Sequence, residues 1–155
     1  AVALLEARGF SAEDFAFSHP GGALGRRLLL RVADIMHTDD RIPRVRDTTP
    51  LAGALLEISL KGLGMTTVVN EDGQLVGIFT DGDLRRTLDR SIDIQKTLIR
   101  DVMTRNGRVI HDDQLAAEAL HVMEELKINA LPVLNREEQL VGALNMHDLL
   151  RAGVI

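Results

Sequence analysis

Two stretches of the chain close on the same arrangement of chemically useful side chains. In Gly77-Ile78-Phe79-Thr80-Asp81-Gly82-Asp83 an apolar run ends at a threonine, and an aspartate follows three residues on. That spacing puts Thr80 and Asp83 together at the start of a helix that begins near Asp81. A carboxylate there accepts two hydroxyls as a ribose cis-diol offers them, while Thr80 and free backbone N–H groups suit a phosphate. The same spacing also describes a capping box, in which the pair only satisfies the helix start. Both readings stand, and the duplication of the pattern tilts the balance towards a ligand. The second instance has Asn145 and Asp148 in those places. Asn145 keeps a polar cap but lacks the hydroxyl, so this site is expected to be altered or empty. His147, next to Asp148, could meet an anionic ligand when protonated, although such a histidine is more often a solvated surface residue. Arg85 or Arg86 could face a phosphate, against the plain alternative of solvated charges on a short exposed helix.

Other chemistries find less support. His37, His111, His121 and His147 do not pair with one another at ligand spacing, and there is no cysteine, so no metal is expected. Zero cysteines also exclude a disulfide scaffold and fit a reducing, cytoplasmic setting. Lys+Arg 18 against Asp+Glu 23 gives a net charge of −5, which argues against nucleic acid as a partner. With no Trp, no Tyr and four Phe, base stacking is nearly unavailable, so a nucleotide would have to be held another way. The apolar stretches break at Arg, Lys or Gly too soon to cross a bilayer.

The elements that must position these residues come as an internal repeat. Residues 51–84 fall on residues 116–149 without a gap, at a shift of 65 positions: Ala54 on Ala119, Val68 on Val133, Asn70 on Asn135, Asp83 on Asp148. Upstream, with a two-residue change of register, Asp34-Ile35-Met36 meets Asp101-Val102-Met103. Each repeat reads β-α-β-β-α. A β segment over Arg41–Val45, or Arg108–Ile110, precedes an amphipathic helix. Thr49 and Pro50 open that helix in the first repeat, Asp113 and Gln114 in the second. Two β runs follow, joined in the first repeat by the turn Asn70-Glu71-Asp72-Gly73, and a short helix closes the unit. Such a unit cannot bury both faces of its sheet alone, so the two are expected to pack as a pseudo-twofold pair of α/β (α+β) units. Residues 1–30 read as an appendage: a helix end stopped at Gly9, a short helix opened by Ser11, and a turn at His19-Pro20-Gly21-Gly22.

Asp-Ile-Met or Asp-Val-Met at the start of each repeat, Leu131-Pro132-Val133 in its second strand and Gly-x-x-Thr-x-x-Asp at its close resemble a tandem cystathionine-beta-synthase (CBS) pair, or Bateman module. Thr66-Thr67-Val68 departs from the apolar-Pro-Val pattern in the first repeat. The run Ala12-Glu13-Asp14-Phe15 to His19-Pro20-Gly21-Gly22-Ala23-Leu24-Gly25-Arg26-Arg27, leading into Asp34-Ile35-Met36-His37, is similar to the segment joining the sugar isomerase (SIS) domain to the CBS pair in D-arabinose-5-phosphate isomerases. These enzymes interconvert ribulose 5-phosphate and arabinose 5-phosphate, towards the sugar acid Kdo of lipopolysaccharide. The resemblance implies a SIS remnant over 1–30 and CBS repeats over 31–92 and 93–155. It makes His19 the candidate catalytic histidine, inactive without the rest of the SIS domain. It gives Thr80 and Asp83 phosphate and ribose contacts and puts Met36 and His37 on a lead-in strand beside the base. Catalysis needs no cofactor on this reading. The implied ligand is a regulatory adenine nucleotide or the nucleotide sugar CMP-Kdo. The implied assembly is a homodimer through the CBS pair within a homotetrameric enzyme. The alternative is a ligand-free module that props that tetramer through the apolar faces of its longer helices.

Overall fold

A computed structural model describes residues 29–155. The readings made above for residues 1–28, His19 among them, lie outside the described residues. Each repeat builds one three-stranded sheet. β1 (Arg44–Arg46) runs parallel to β2 (Met65–Val69), and β2 pairs antiparallel with β3 (Leu75–Thr80). β4 (Ile110–His111), β5 (Ala130–Leu134) and β6 (Leu140–Asn145) repeat the order in a second sheet. The helices are α1 (Val32–Ile35), α2 (Leu51–Lys61), α3 (Asp81–Leu88), α4 (Ala116–Leu126) and α5 (Met146–Arg151).

The repeat holds down to single backbone positions. Val68 faces Gly77 across the first sheet as Val133 faces Gly142 across the second, and each central strand slips register at the next residue. Asn70 Oδ1 accepts from the N–H groups of Asp72 and Gln74, and Asn135 Oδ1 from those of Glu137 and Gln139. The left-handed residue of that turn is Gly73 in one repeat (φ 80°) and Glu138 in the other (φ 63°). Such a backbone is easy for glycine and costs a side-chain-bearing residue more. The central strands are buried on both faces and so read as continuous runs rather than alternations. Thr66 and Thr67 conform because their hydroxyls are satisfied locally, Thr66 Oγ1 donating to Thr67 O and Thr67 Oγ1 to Pro43 O.

Several boundaries differ from expectation. Asp39–Arg41 is a 3-10 turn and the first strand begins only at Arg44, because Pro43 has no N–H for a ladder. In the second repeat the strand is Ile110–His111 rather than Arg108–Ile110. Neither Thr49 nor Asp113 caps a helix: α2 starts after Pro50 and α4 after Leu115. The exposed N–H groups of those first turns are met from a distance. Leu51 and Ala52 donate to Thr97 O and Ile94 O, and Ala116 donates to Leu30 O. The apolar faces of α2 and α4, offered above as a dimer surface, point inward: Leu51, Ala54, Ala116, Ala119 and Met123 are buried on their own sheets.

The lead-in segments are exchanged. Val32 is wholly buried in the core of the second repeat, among Ile110, Ala119, Leu131, Leu144 and Leu149. Ile99 is wholly buried in the core of the first, among Leu51, Ala54, Val68 and Phe79. Met36 packs on Gly142 and Met103 on Gly77, places where a Cβ would collide with the methionine sulfur. His37 and Ala143 trade two backbone hydrogen bonds (2.8 and 3.0 Å), and Thr104 trades two with Ile78 (2.8 and 3.0 Å). The expected strand through Met36 and His37 is thus the helix α1 followed by a single bridge to β6.

Candidate functional site

The exchange brings a polar side chain of each lead-in segment to the helix start of the other repeat. At the first exit, where β3 becomes α3, Asp83 Oδ2 accepts from Thr80 N (3.0 Å) and Thr80 Oγ1 (3.1 Å), while Asp83 N donates back to Thr80 Oγ1 (3.2 Å). This is the capping box that the spacing allowed. Asp83 Oδ1 accepts from Arg86 (2.5 Å) and from Thr104 Oγ1 of the exchanged segment (3.1 Å). The carboxylate is 7% exposed and its roughly four acceptor positions are all engaged.

The second exit repeats the plan with different chemistry. Asp148 Oδ2 accepts from Asn145 N (2.8 Å), and Asp148 N donates to Asn145 Oδ1 (3.0 Å). Its Oδ1 accepts from Arg151 (2.8 Å) and from His37 Nε2 (2.7 Å), so a titratable imidazole replaces the threonine hydroxyl. Arg86 and Arg151 are equivalent positions, and their side chains are 72% and 70% exposed. Arg85 is exposed and its guanidinium makes no contact with the described residues; the cation at the carboxylate is its neighbour Arg86. His147 is exposed as well.

Two clefts adjoin the exits. One, of about 700 Å3, brings Asn145 and His147 together with Asp81, Gly64 and Asn129, and no Lys or Arg lines it. The other, of about 630 Å3, lies between β3 and the connection 105–109 and is lined by Gly77, Ile78, Arg105, Asn106, Val109 and Pro132. Ile78 precedes Thr80 by two residues, and Arg105 follows the threonine bonded to Asp83, so this cleft opens beside the first exit. Thr104, Arg105 and Arg151 were not singled out from the sequence. The pairing of Met36 with Met103, carried one residue further, sets His37 against Thr104 and could have found that contact.

The CBS domain family matches residues 32–90 and 99–155 of this chain. The chain belongs to the CBS-domain family. Arabinose 5-phosphate isomerase KdsD of Pseudomonas aeruginosa is 63% identical over 155 residues, 100% of this chain and 48% of that protein. KdsD of Escherichia coli K12 is 56% identical over the same span, 47% of its own length. The chain therefore spans about half the length of these relatives. The solved CBS domain pair of protein MJ0100, in complex with 5′-methylthioadenosine and S-adenosyl-L-methionine, shares 25% identity at a TM-score of 0.69 and covers 78% of this chain and 97% of that one. CBSX2 in complex with AMP, at 24% identity and a TM-score of 0.68, covers 81% and 96% and shares the fold.

In this CBS pair no group of three potential metal ligands assembles among the described residues, and no described helix is long and apolar enough to cross a membrane. The one resolved titration effect lies away from both exits. Arg136 Nε donates to both carboxylate oxygens of Asp113 (3.0 and 2.8 Å), which lowers the Asp113 pKa and raises that of Arg136.

Proposed function

We propose that this CBS pair is the ligand-sensing half of an arabinose 5-phosphate isomerase, and that it binds a nucleotide or nucleotide sugar at the exit of its first repeat. The parentage rests on identity sustained over the whole chain, 63% in the Pseudomonas relative. Turnover belongs to the SIS half, with His19 as its candidate histidine, so the chain alone is expected to show none. We place the whole enzyme in the cytoplasm as a homotetramer.

The observation that carries the ligand reading is the state of Asp83. It is a buried carboxylate, and one oxygen is held by an arginine whose side chain is 72% exposed. An exposed partner of this kind contributes little to stability and is readily exchanged. A ribose diol can take its place on Oδ1, and the released Arg86 then faces the ligand's phosphate. The nucleosides carried by the related pair of MJ0100 support the same class of ligand. CMP-Kdo offers a cytidine ribose together with phosphate and carboxylate, and as the activated product of the pathway it suits feedback. AMP and ATP are its competitors. Thr80 and Asp83 hold the ligand; Met36, His37, Asn145, His147 and Asp148 belong to the second exit, whose occupancy is a separate question.

A thermal-shift and calorimetric titration with AMP, ATP, CMP and CMP-Kdo tests the reading. A selective ligand at a hundredfold excess over its Kd stabilises the fold by about 2.7 kcal/mol. Asp83→Ala should abolish that shift, and an unchanged affinity would remove Asp83 from the site. A second reading, a ligand-free module that joins subunits as a homodimer, is favoured by Leu56 and Leu60, which are 71% and 75% exposed one turn apart on α2. Under it, deleting the module weakens assembly of the whole enzyme, and nucleotides leave its stability unchanged.

A further inference from the structure

The two exits are related by the repeat, yet the connections that border them differ in length. Residues 38–44 link the lead-in bridge to β1, whereas residues 105–109 link it to β4 with two fewer. The extra length of the first connection folds into the 3-10 turn Asp39–Arg41 and lays Ile42, 4% exposed, against Leu63, Ala143 and Leu140. Thr67 pins it there, since its N–H (3.0 Å) and its hydroxyl (2.5 Å) both donate to Pro43 O. Pro132 occupies the place of Thr67 in the second repeat and has neither donor. The ladder accordingly starts one residue later, and Val109 is left at the wall of an open cleft.

The charges differ in the same sense. Arg105 lines the open cleft, is exposed, and commits one of its donors to Arg100 O (3.2 Å). The cleft at the second exit is lined by the carboxylate of Asp81 and by no guanidinium or ammonium, so an anion entering it meets repulsion. Asp148 there is held by His37, whose side chain is only 21% exposed, as well as by Arg151.

We infer that the pair takes one ligand per chain, an anionic ribonucleotide in the cleft between β3 and the 105–109 connection, with Arg105 holding the anion. This rests on the nucleotide reading above and adds to it the stoichiometry, the side and the anchoring residue. Calorimetric titration of the full chain with AMP and with CMP counts the sites, and the same titration is run on Arg105→Ala and on Val109→Phe, with Val109→Leu as a milder filling of the cleft should the phenylalanine variant fail to fold. One ligand per chain is expected for wild type. Arg105→Ala and the filled cleft should each weaken it at least tenfold, with the ligand-free Tm retained. Two ligands per chain, or one whose affinity ignores both changes, overturns the inference and leaves nucleotide binding standing. Absence of binding with AMP, ATP, CMP and CMP-Kdo alike overturns the underlying reading instead.

Discussion

Replacing Thr80 by Ala removes the oxygen that accepts the Asp83 N–H and a donor to its carboxylate, at a cost of about 1 kcal/mol for a lost helix cap. Thr80→Ser keeps both bonds and should keep the Tm, so paired denaturation curves separate the hydroxyl from the methyl group. Asp113 allows a cleaner electrostatic test. Its pKa is lowered chiefly by the hydrogen bond from Arg136, so the charged form is favoured in the folded state. A lowered folded pKa adds stability above the unfolded value and loses it as pH falls through the folded one, which places the effect below about pH 4. In Arg136→Ala the Asp113 carboxyl should titrate higher, as carboxyl chemical shifts would report, with stability at pH 7 almost unchanged because the pair is fully exposed. At this scale the sequence showed Thr80 with Asp83, and Asn145 with Asp148, as helix starts. It did not show what fills the outer carboxylate oxygens, because Thr104 and His37 arrive from segments far away in the chain.

Helices and strands were legible wherever the pattern is local. The Asn70-to-Gln74 turn, the two β runs of each repeat and the helix over 81–88 stand where spacing and turn residues put them. Helix starts failed where tertiary carbonyls cap them, as at Leu51 and Ala116, since no side chain in the sequence marks such a cap. The repeat even anticipates strain: Gly62 and Lys127 are equivalent, and both end their helices in the left-handed region. Glycines on β3 and β6 carry the elements' most specific demand. At Gly142 an added Cβ meets Met36, and at Gly77 it meets Met103 Sδ and Thr104 O (2.5 and 3.0 Å). Gly142→Ala should therefore cost about 1–3 kcal/mol by overpacking, visible as a lowered urea midpoint. Gly73→Ala, at a turn with open space around it, should cost less, its penalty confined to the backbone.

The whole molecule is two interlocked halves rather than two beads. Removing the chain up to Met36 takes Val32 from the core of the second repeat and the His37 N–H bridge loses its flanking support, while the first repeat keeps Ile99. Hydrogen exchange should then show protection falling at Ile110, Leu131 and Leu144 and persisting at Val68 and Phe79. If both halves lose protection together, they form one cooperative unit. The amino-acid sequence by itself determined the duplication, the β-α-β-β-α order, the central strands and the paired helix starts. All of these follow from patterns repeated within a few residues or at one constant shift. Only the tertiary structure decided that each lead-in segment completes the other repeat, that both aspartates are already saturated, and that one cleft stays open while its counterpart is filled by Ile42. Those outcomes depend on contacts between residues tens to more than a hundred positions apart, and on the two-residue difference between connections. Periodicity records neither.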